Sequence, residues 1–409
     1  MLFIPLPIII FILFRQRSRT SVAETTVFKT AEECRAIIGA SQFPDTRQNQ
    51  LTRQEARAGP NQALQRAFGI LNAFTTENVT DAKRFVSEAH RLIMASAVDW
   101  AGLSNTLSGM VLDMNRASAG ETRVKVTLAP MVRALALKAS LPVLFKMGDD
   151  VTVENKHLVD LGTIIHRTWM DMKHGKVTEF KNTILKDRLS AVFAKHKVGI
   201  DIGDPRSNPL NWILPSFETV WRIVLRLFIV LHNREDYKNI LLEFVQKPTA
   251  TQFKCGLGQD LISAEFLVKE ALRLYPPTRR IWRVWLFAGS TCNKIVVAVE
   301  ASQLDTDVWG ADALKFNPTR WRKMNVSAVE NRNLLAFGDR SFLCPASYDF
   351  GPMAIGLLVG ILLSVFSGGN GVKWVLGPDD AADMEEVHSG KRLRNERGTY
   401  EHVFLDLIG

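Results

Sequence analysis

A chain of 409 residues, 46% of them hydrophobic, can bury one large core or two ordinary ones, and no internal repeat, charge block or low-complexity tract interrupts it. Its net charge of +9 comes from Lys and Arg scattered among acids, which argues against the basic stripe of a nucleic-acid binder and suits a membrane surface or an acidic electron-transfer partner. The four cysteines, Cys34, Cys255, Cys292 and Cys344, are far apart with no C-x-x-C pair, so neither a zinc site nor a disulfide framework is suggested, and a reducing compartment fits.

In chain order, residues 2–14 form an apolar run broken by Pro5 and Pro7 and followed by Arg15, Arg17 and Arg19. The run is shorter than the ~20 residues of a straight span, and positive charge after it keeps the following chain cytoplasmic. No basic residue precedes it and no convincing small-residue cleavage site follows, so residues 1–20 read as a membrane anchor in preference to a signal peptide. Residues 21–409 then form one domain in the cytosol. Apolar periodicity predicts helices over Thr30–Ile38, Asp81–Ala97, Val124–Lys146, Asn155–His174, Thr178–Lys197, Trp212–Leu231, Asp236–Gln246, Asp260–Leu274 and Gly351–Ser367. Strand signals are few: Arg280–Phe287 and Lys294–Val299 read as a hairpin, and Gly371–Val375 with Tyr400–Leu405 as another. The expected class is mainly α with small β-sheets. Gly356-x-x-x-Gly360 in the last apolar helix would suggest dimerisation inside a membrane, but the short length of that helix and its place directly after Cys344 favour a core helix.

Four segments carry candidate chemistry. Pro215-Ser216-Phe217-Glu218-Thr219 lies in the Trp212–Leu231 run, where Glu218, Arg222 and Arg226 also recur every four residues, as on a solvated salt-bridged face. Glu270 and Arg273 sit three apart on a helix that Pro276 and Pro277 stop, so they can pair on one face. Phe316-Asn317-Pro318-Thr319-Arg320-Trp321 supplies a further arginine among aromatics, and Arg320 can close a Glu270–Arg273–Arg320 network. The stretch Phe337-Gly338-Asp339-Arg340-Ser341-Phe342-Leu343-Cys344-Pro345-Ala346 sets a lone cysteine between a glycine-bearing loop and an apolar helix. A helix starting near Pro345 would turn its positive end toward the sulfur and lower the thiol pKa, which suits a haem-iron thiolate shielded by Phe337. An inert buried cysteine is the other reading. Gly256-x-Gly258 has neither a third glycine nor an obvious preceding strand, so no dinucleotide fold is expected and electrons for redox chemistry come from outside.

In order and spacing, Glu270-x-x-Arg273, Phe316-x-Pro318-x-Arg320-Trp321 and the loop from Phe337-Gly338 to Cys344-x-Ala346 resemble the cytochrome P-450 family of haem-thiolate monooxygenases, in a short, divergent form of the membrane-anchored, fungal-like eukaryotic type. The match covers the C-terminal third tightly and residues 21–200 hardly at all. The resemblance implies the cytochrome P-450 fold, haem b as cofactor and Cys344 as its axial thiolate. It further implies that Glu218 and Thr219 relay protons to dioxygen, that Phe337, Gly338, Arg340 and Pro345 line the cofactor, and that Arg280 and Arg283 reach its propionates. An NADPH-dependent flavoprotein reductase, a lipophilic small-molecule substrate, an endoplasmic reticulum membrane address and a place in secondary metabolism follow from the same likeness.

Departures are equally specific. Pro215 and Ser216 stand where alanine and glycine are usual, Arg340 where glycine is usual, and Phe342 where an arginine is usual. The region Arg66 to Arg91 has no tryptophan, so the usual Trp-x-x-x-Arg is missing. These changes keep two alternatives open: a haem-thiolate isomerase or dehydratase that does not activate O2, or a degenerate member that retains the fold as a binding protein.

Overall fold

The structure is a computed structural model, and it describes residues 26–40, 49–94, 98–118, 125–147, 153–176, 183–195, 200–256, 261–287, 292–322, 333–366, 373–377, 385–386 and 389–408. The anchor expected over residues 1–20 lies outside the described residues.

Local capping chemistry sets several helix starts. β1 (Thr26–Phe28) leads into α1 (Ala31–Ile38), where the Thr30 side chain accepts the Glu33 N–H. α2 (Arg53–Ala58) begins with a capping box, Thr52 and Glu55 each satisfying the other's backbone N–H. α3 (Gln62–Phe68) stops at Gly69, whose φ of 61° places it in the left-handed region. Asn78 caps α4 (Val79–Leu92) by accepting the Asp81 N–H. Then follow α5 (Trp100–Ser118), β2 (Lys125–Thr127), α6 (Leu128–Phe145), α7 (Asn155–Lys173), α8 (Thr183–Val192), α9 (Leu210–Phe217), α10 (Val220–Leu231), α11 (Glu235–Gln246), α12 (Ala250–Lys254) and α13 (Ala264–Leu274). β3 (Ile281–Trp285), β4 (Asn293–Val297), α14 (Val299–Gln303) and α15 (Thr306–Trp309) come next. Three 3-10 turns, Pro318–Trp321, Arg340–Phe342 and Pro345–Ser347, precede α16 (Phe350–Phe366), and β5 (Lys373–Gly377) and β6 (Phe404–Ile408) follow it.

Two small sheets flank this helical mass. In one, β4 lies between β1 and β3, parallel to β1 (Thr26 opposite Ile295) and antiparallel to β3 (Ile281 opposite Val297), as the hairpin reading expects. In the other, β6 lies between β2 and β5, antiparallel to both. The fold is therefore mainly α with small β-sheets.

The centre of the core is α16, which packs on α5, α10, α11 and α13. Met353, Ile355, Leu357, Leu358, Ile361, Leu362 and Leu363 are all buried, each worth about 1.5–3 kcal/mol of apolar transfer. Gly356 abuts Phe253 and Phe244, and a Cβ on Gly360 would sit 2.4 Å from Val245 Cγ2 and 2.9 Å from the Leu241 carbonyl oxygen. The glycine pair thus lets α16 touch α11 and α12 inside the fold. α6 is long and apolar enough to cross a membrane, yet it is mostly buried against α5, α7, α9 and α10.

Several short elements were not expected, among them β2 inside the expected Val124–Lys146 helix, and two longer features also differ from the sequence expectation. The Trp212–Leu231 run is two helices, α9 and α10, parted at Glu218 and Thr219. Pro215 has no N–H to donate and crowds the carbonyl one turn back, which weakens the ladder just before the break. α5 was not expected at all, although Leu103, Leu107, Met110 and Met114 recur at helical spacing, because Gly102, Gly109 and the Ser, Thr and Asn around them depress helix propensity.

Candidate functional site

Glu270 and Arg273 are both wholly buried on α13, and their pairing is bidentate: Arg273 Nε donates to Oε2 at 3.0 Å and Nη2 to Oε1 at 2.8 Å. The turn Pro318–Trp321 brings Arg320, whose Nε donates to Oε1 at 3.1 Å, and the Trp321 indole, whose Nε1 donates to Oε2 at 2.9 Å. The Asn317 backbone N–H adds a bond to Oε1 at 3.0 Å. Arg273 spends its other N–H groups on the carbonyls of Gln303 and Ala313, at 3.0 and 2.8 Å. A buried charge cluster satisfied this fully is a rigid fastener. Gln303 carries the fastening on toward the cysteine: its Nε2 donates to the Leu272 and Arg273 carbonyls, and its Oε1 accepts the Leu335 N–H at 2.6 Å.

Past Leu335 the chain folds back on itself. Gly338 sits at φ 78°, donates its N–H to the Leu335 carbonyl, and has the Phe342 carbonyl oxygen 2.8 Å from where a Cβ would be. Only glycine suits that place. The Cys344 N–H donates to the Phe337 carbonyl at 2.8 Å, which closes the loop and fixes Cys344 at its base. Phe337 rests against the start of α16, its ring edge 3.3 Å from where a Cβ on Gly351 would be. Three basic residues from the N-terminal part of the chain hold the loop: Arg35 pairs with Asp339, Arg53 Nη1 donates to Ser341 Oγ at 3.0 Å, and Arg57 lies over the Phe342 ring at 4.6 Å. Arg340 opens the turn Arg340–Phe342, and its side chain lies outside the described residues.

The sulfur is not on the first turn of an α-helix. Pro345–Ser347 is a single 3-10 turn and α16 begins only at Phe350, so little helix dipole reaches Cys344. Burial pushes its thiol up, against the opposing pull of the Ala346 N–H and Arg57. The pKa depression expected from the sequence is therefore absent, and a thiolate here is one that the metal itself stabilises.

Whether an iron porphyrin suits this place is decided by its neighbours. Cys344 and Arg57 are both half-buried, and Arg57 is close enough to act on the charge of the sulfur. No group of three or more His, Cys, Asp or Glu able to hold an ion occurs among the described residues, so Cys344 suits a metal that brings its own equatorial ligands. Arg283, 4% exposed on β3, lies over Phe342 at 5.1 Å and gives N–H groups to the Ile38 and Trp282 carbonyls. Burial pulls Arg57 down to about 10 and Arg283 to about 9, and no described carboxylate pairs with either. A thiol donor beside aromatic walls and two unneutralised guanidinium groups fits a porphyrin carrying two carboxylates.

Other expectations meet different geometry. Arg280 is exposed and outside this cluster, because it precedes β3 and a three-residue offset along an extended chain reverses the direction of the side chain relative to Arg283. Glu218, 2% exposed, is paired with Arg397, whose guanidinium stacks over Trp169 at 4.4 Å. Thr219 Oγ1 donates to the Pro215 carbonyl at 3.3 Å, and Ser216 Oγ to that of Trp212 at 3.0 Å. Arg222 and Arg226 are buried and bond the carbonyls of Asn395, Arg394 and Glu396, so this helix face is buried, not solvated, and its acid pairs with Arg397 instead of with its own arginines. Sequence reasoning missed Arg57, Gln303, Arg397 and the indole of Trp321. Only Trp321 had a signal, its place inside a motif.

No protein-family model matches the sequence, and no curated protein does. Among solved structures, "Testerone bound CYP154C4 from Streptomyces sp. ATCC 11861" superposes with a TM-score of 0.58 at 14% identity, covering 93% of this chain and 89% of that one. At that identity the likeness speaks for the fold alone, and the chain has the cytochrome P450 fold.

Proposed function

We propose that the protein is a haem-thiolate monooxygenase with haem b held by Cys344. The observation that carries this reading is Cys344 at the closed end of the Phe337–Cys344 loop, beside Arg57 and Phe342, within a P450 fold. Iron porphyrin bound there supplies the redox chemistry that activates dioxygen and inserts one oxygen atom into a lipophilic small molecule. The chain's own residues hold and shield: Gly338 shapes the loop, Phe337 covers its base, and Pro345 opens the 3-10 turn whose Ser347 N–H donates to the Cys344 carbonyl at 3.0 Å. A separate NADPH-dependent flavoprotein reductase supplies electrons, and residues 1–20 tether the domain to the endoplasmic reticulum membrane with its body in the cytosol, as in membrane-anchored fungal-type members that serve secondary metabolism.

One observation favours a second reading. With Glu218 tied to Arg397 and Thr219 bonded to its own helix, the acid and alcohol of a proton relay are both engaged elsewhere, which suits a haem-thiolate isomerase or dehydratase. The ferrous carbonyl spectrum tests the shared core: wild type should show the red-shifted Soret band of thiolate ligation and Cys344→Ala should lose it, whereas retention of the band ends the assignment. Turnover only with reductase and NADPH selects the monooxygenase; turnover without them selects the alternative.

A further inference from the structure

We propose that Arg57, seconded by Arg283, clamps the carboxylates of the bound haem and takes over the anion contact absent at Phe342. This rests on the haem-thiolate reading above. Two guanidinium groups flank one ring, at 4.6 and 5.1 Å from its centroid, and Arg57 adds its repulsion to the burial that already disfavours charge on Arg283. Like charges brought together in a buried place call for an anion between them. None of the described side chains supplies one.

The two arginines are not equivalent. Arg283 has committed Nε and Nη2 to the Ile38 carbonyl and Nη1 to that of Trp282, and so keeps only part of its fork. Arg57 lies between the rings of Phe74, at 4.3 Å, and Phe342, and no described acceptor takes its side-chain N–H groups. Aromatic faces fix a guanidinium in plane and leave its edge for a carboxylate. It lies close to Cys344, on which it acts electrostatically, and Arg53 of the same helix bonds Ser341 of the cysteine loop.

Its mounting is rigid. α2 is started by the Thr52–Glu55 box, Gln54 donates to the Ala73 and Thr76 carbonyls at 2.9 and 2.6 Å, and Gly59 lets the helix end approach Val284 of β3, with 2.7 Å between a built Cβ and Cγ2. Arg53, one turn before Arg57, bonds Ser341 in the cysteine loop. The helix that carries Arg57 is thus docked on both the strand of Arg283 and the loop of Cys344. A side chain lost at position 342 is replaced in space by one from 285 residues earlier, over the face of the phenylalanine that took its place.

The test uses the full chain, haem, and haem dimethyl ester, in which both carboxylates are masked. Haem release into excess apomyoglobin is followed at the Soret band for wild type, Arg57→Gln and Arg57→Lys. Arg57→Gln should release haem ten- to a hundredfold faster, with the thiolate carbonyl band in place and Arg57→Lys in between; the dimethyl ester should leave wild type and Arg57→Gln at equal rates. Equal haem release from wild type and both variants overturns the clamp, and so does a gap that persists with the ester, which would assign Arg57 to packing. Wild type that takes up no haem refutes the haem-thiolate reading itself, and the clamp with it.

Discussion

The indole N–H of Trp321 and the Oε2 of Glu270, 2.9 Å apart, make the tryptophan one of five donors on a single buried carboxylate. Trp321→Phe keeps the ring and removes one bond, at a cost of about 1–3 kcal/mol. Arg273→Ala strands the carboxylate without its bidentate partner, at a cost of about 3–5 kcal/mol. Urea unfolding of the two variants should rank them in that order; equal midpoints with wild type would put the network at the surface.

Gly338→Ala meets two obstacles, a φ of 78° and the Phe342 carbonyl oxygen 2.8 Å from the new methyl. Left-handed backbone alone costs a non-glycine residue roughly 1–2 kcal/mol. The variant should melt lower and bind haem less well, and an unchanged melting temperature would contradict the loop geometry.

The helix glycines give a matched pair. Gly360→Ala puts a methyl 2.4 Å from Val245 Cγ2 and 2.9 Å from a backbone oxygen, and overpacking of that kind costs about 1–3 kcal/mol. Gly109, within α5, has nothing within 4 Å of a built Cβ. Gly109→Ala should therefore stabilise by about 0.5–1 kcal/mol through helix propensity. Calorimetry should show shifts of opposite sign.

His166 is 8% exposed, and burial, with Arg133, Arg397 and Arg222 nearby, pulls its pKa from 6.5 to about 3. Glu401 Oε1 lies 3.2 Å from Nε2 and pulls the other way, but Arg133 already holds that carboxylate at 2.7 Å. The unfolded chain thus binds a proton near pH 6.5 that the folded chain refuses until about 3, so stability is full above pH 6.5 and falls with acidification. Between pH 7 and 5 the loss should reach about 2 kcal/mol. His232, pulled down by burial as well, adds slope of the same sign. His166→Gln should flatten the melting-temperature profile in that window without abolishing its tilt; an unchanged profile would mean that His166 titrates normally.

What the sequence made legible follows from how local each signal is. Thr30 before α1 and the apolar run of α16 announce themselves within a turn or two, and both stand within two residues of expectation. The Glu270 cluster was visible because its members are constrained in type as well as in spacing. Arg57 was invisible, since a lone arginine between Ala56 and Ala58 acquires meaning only when α2 docks on β3. Glu218 misled for the converse reason: its neighbourhood looked like a motif, and its partner Arg397 lies far along the chain.

The place of α16 bears on the order of synthesis. The helices it packs against, α5, α6, α10, α11, α12 and α13, all leave the ribosome before it does. Until Phe350–Phe366 emerges, Phe244 and Phe253 have no glycine ridge to close over them, and Phe228 has no Phe366. The nascent chain therefore carries an open apolar interior through most of translation, a state prone to association with other chains. Final collapse waits for the last fifth of the polypeptide, so expression yield should depend on holdase chaperones more than on translation speed through the N-terminal helices.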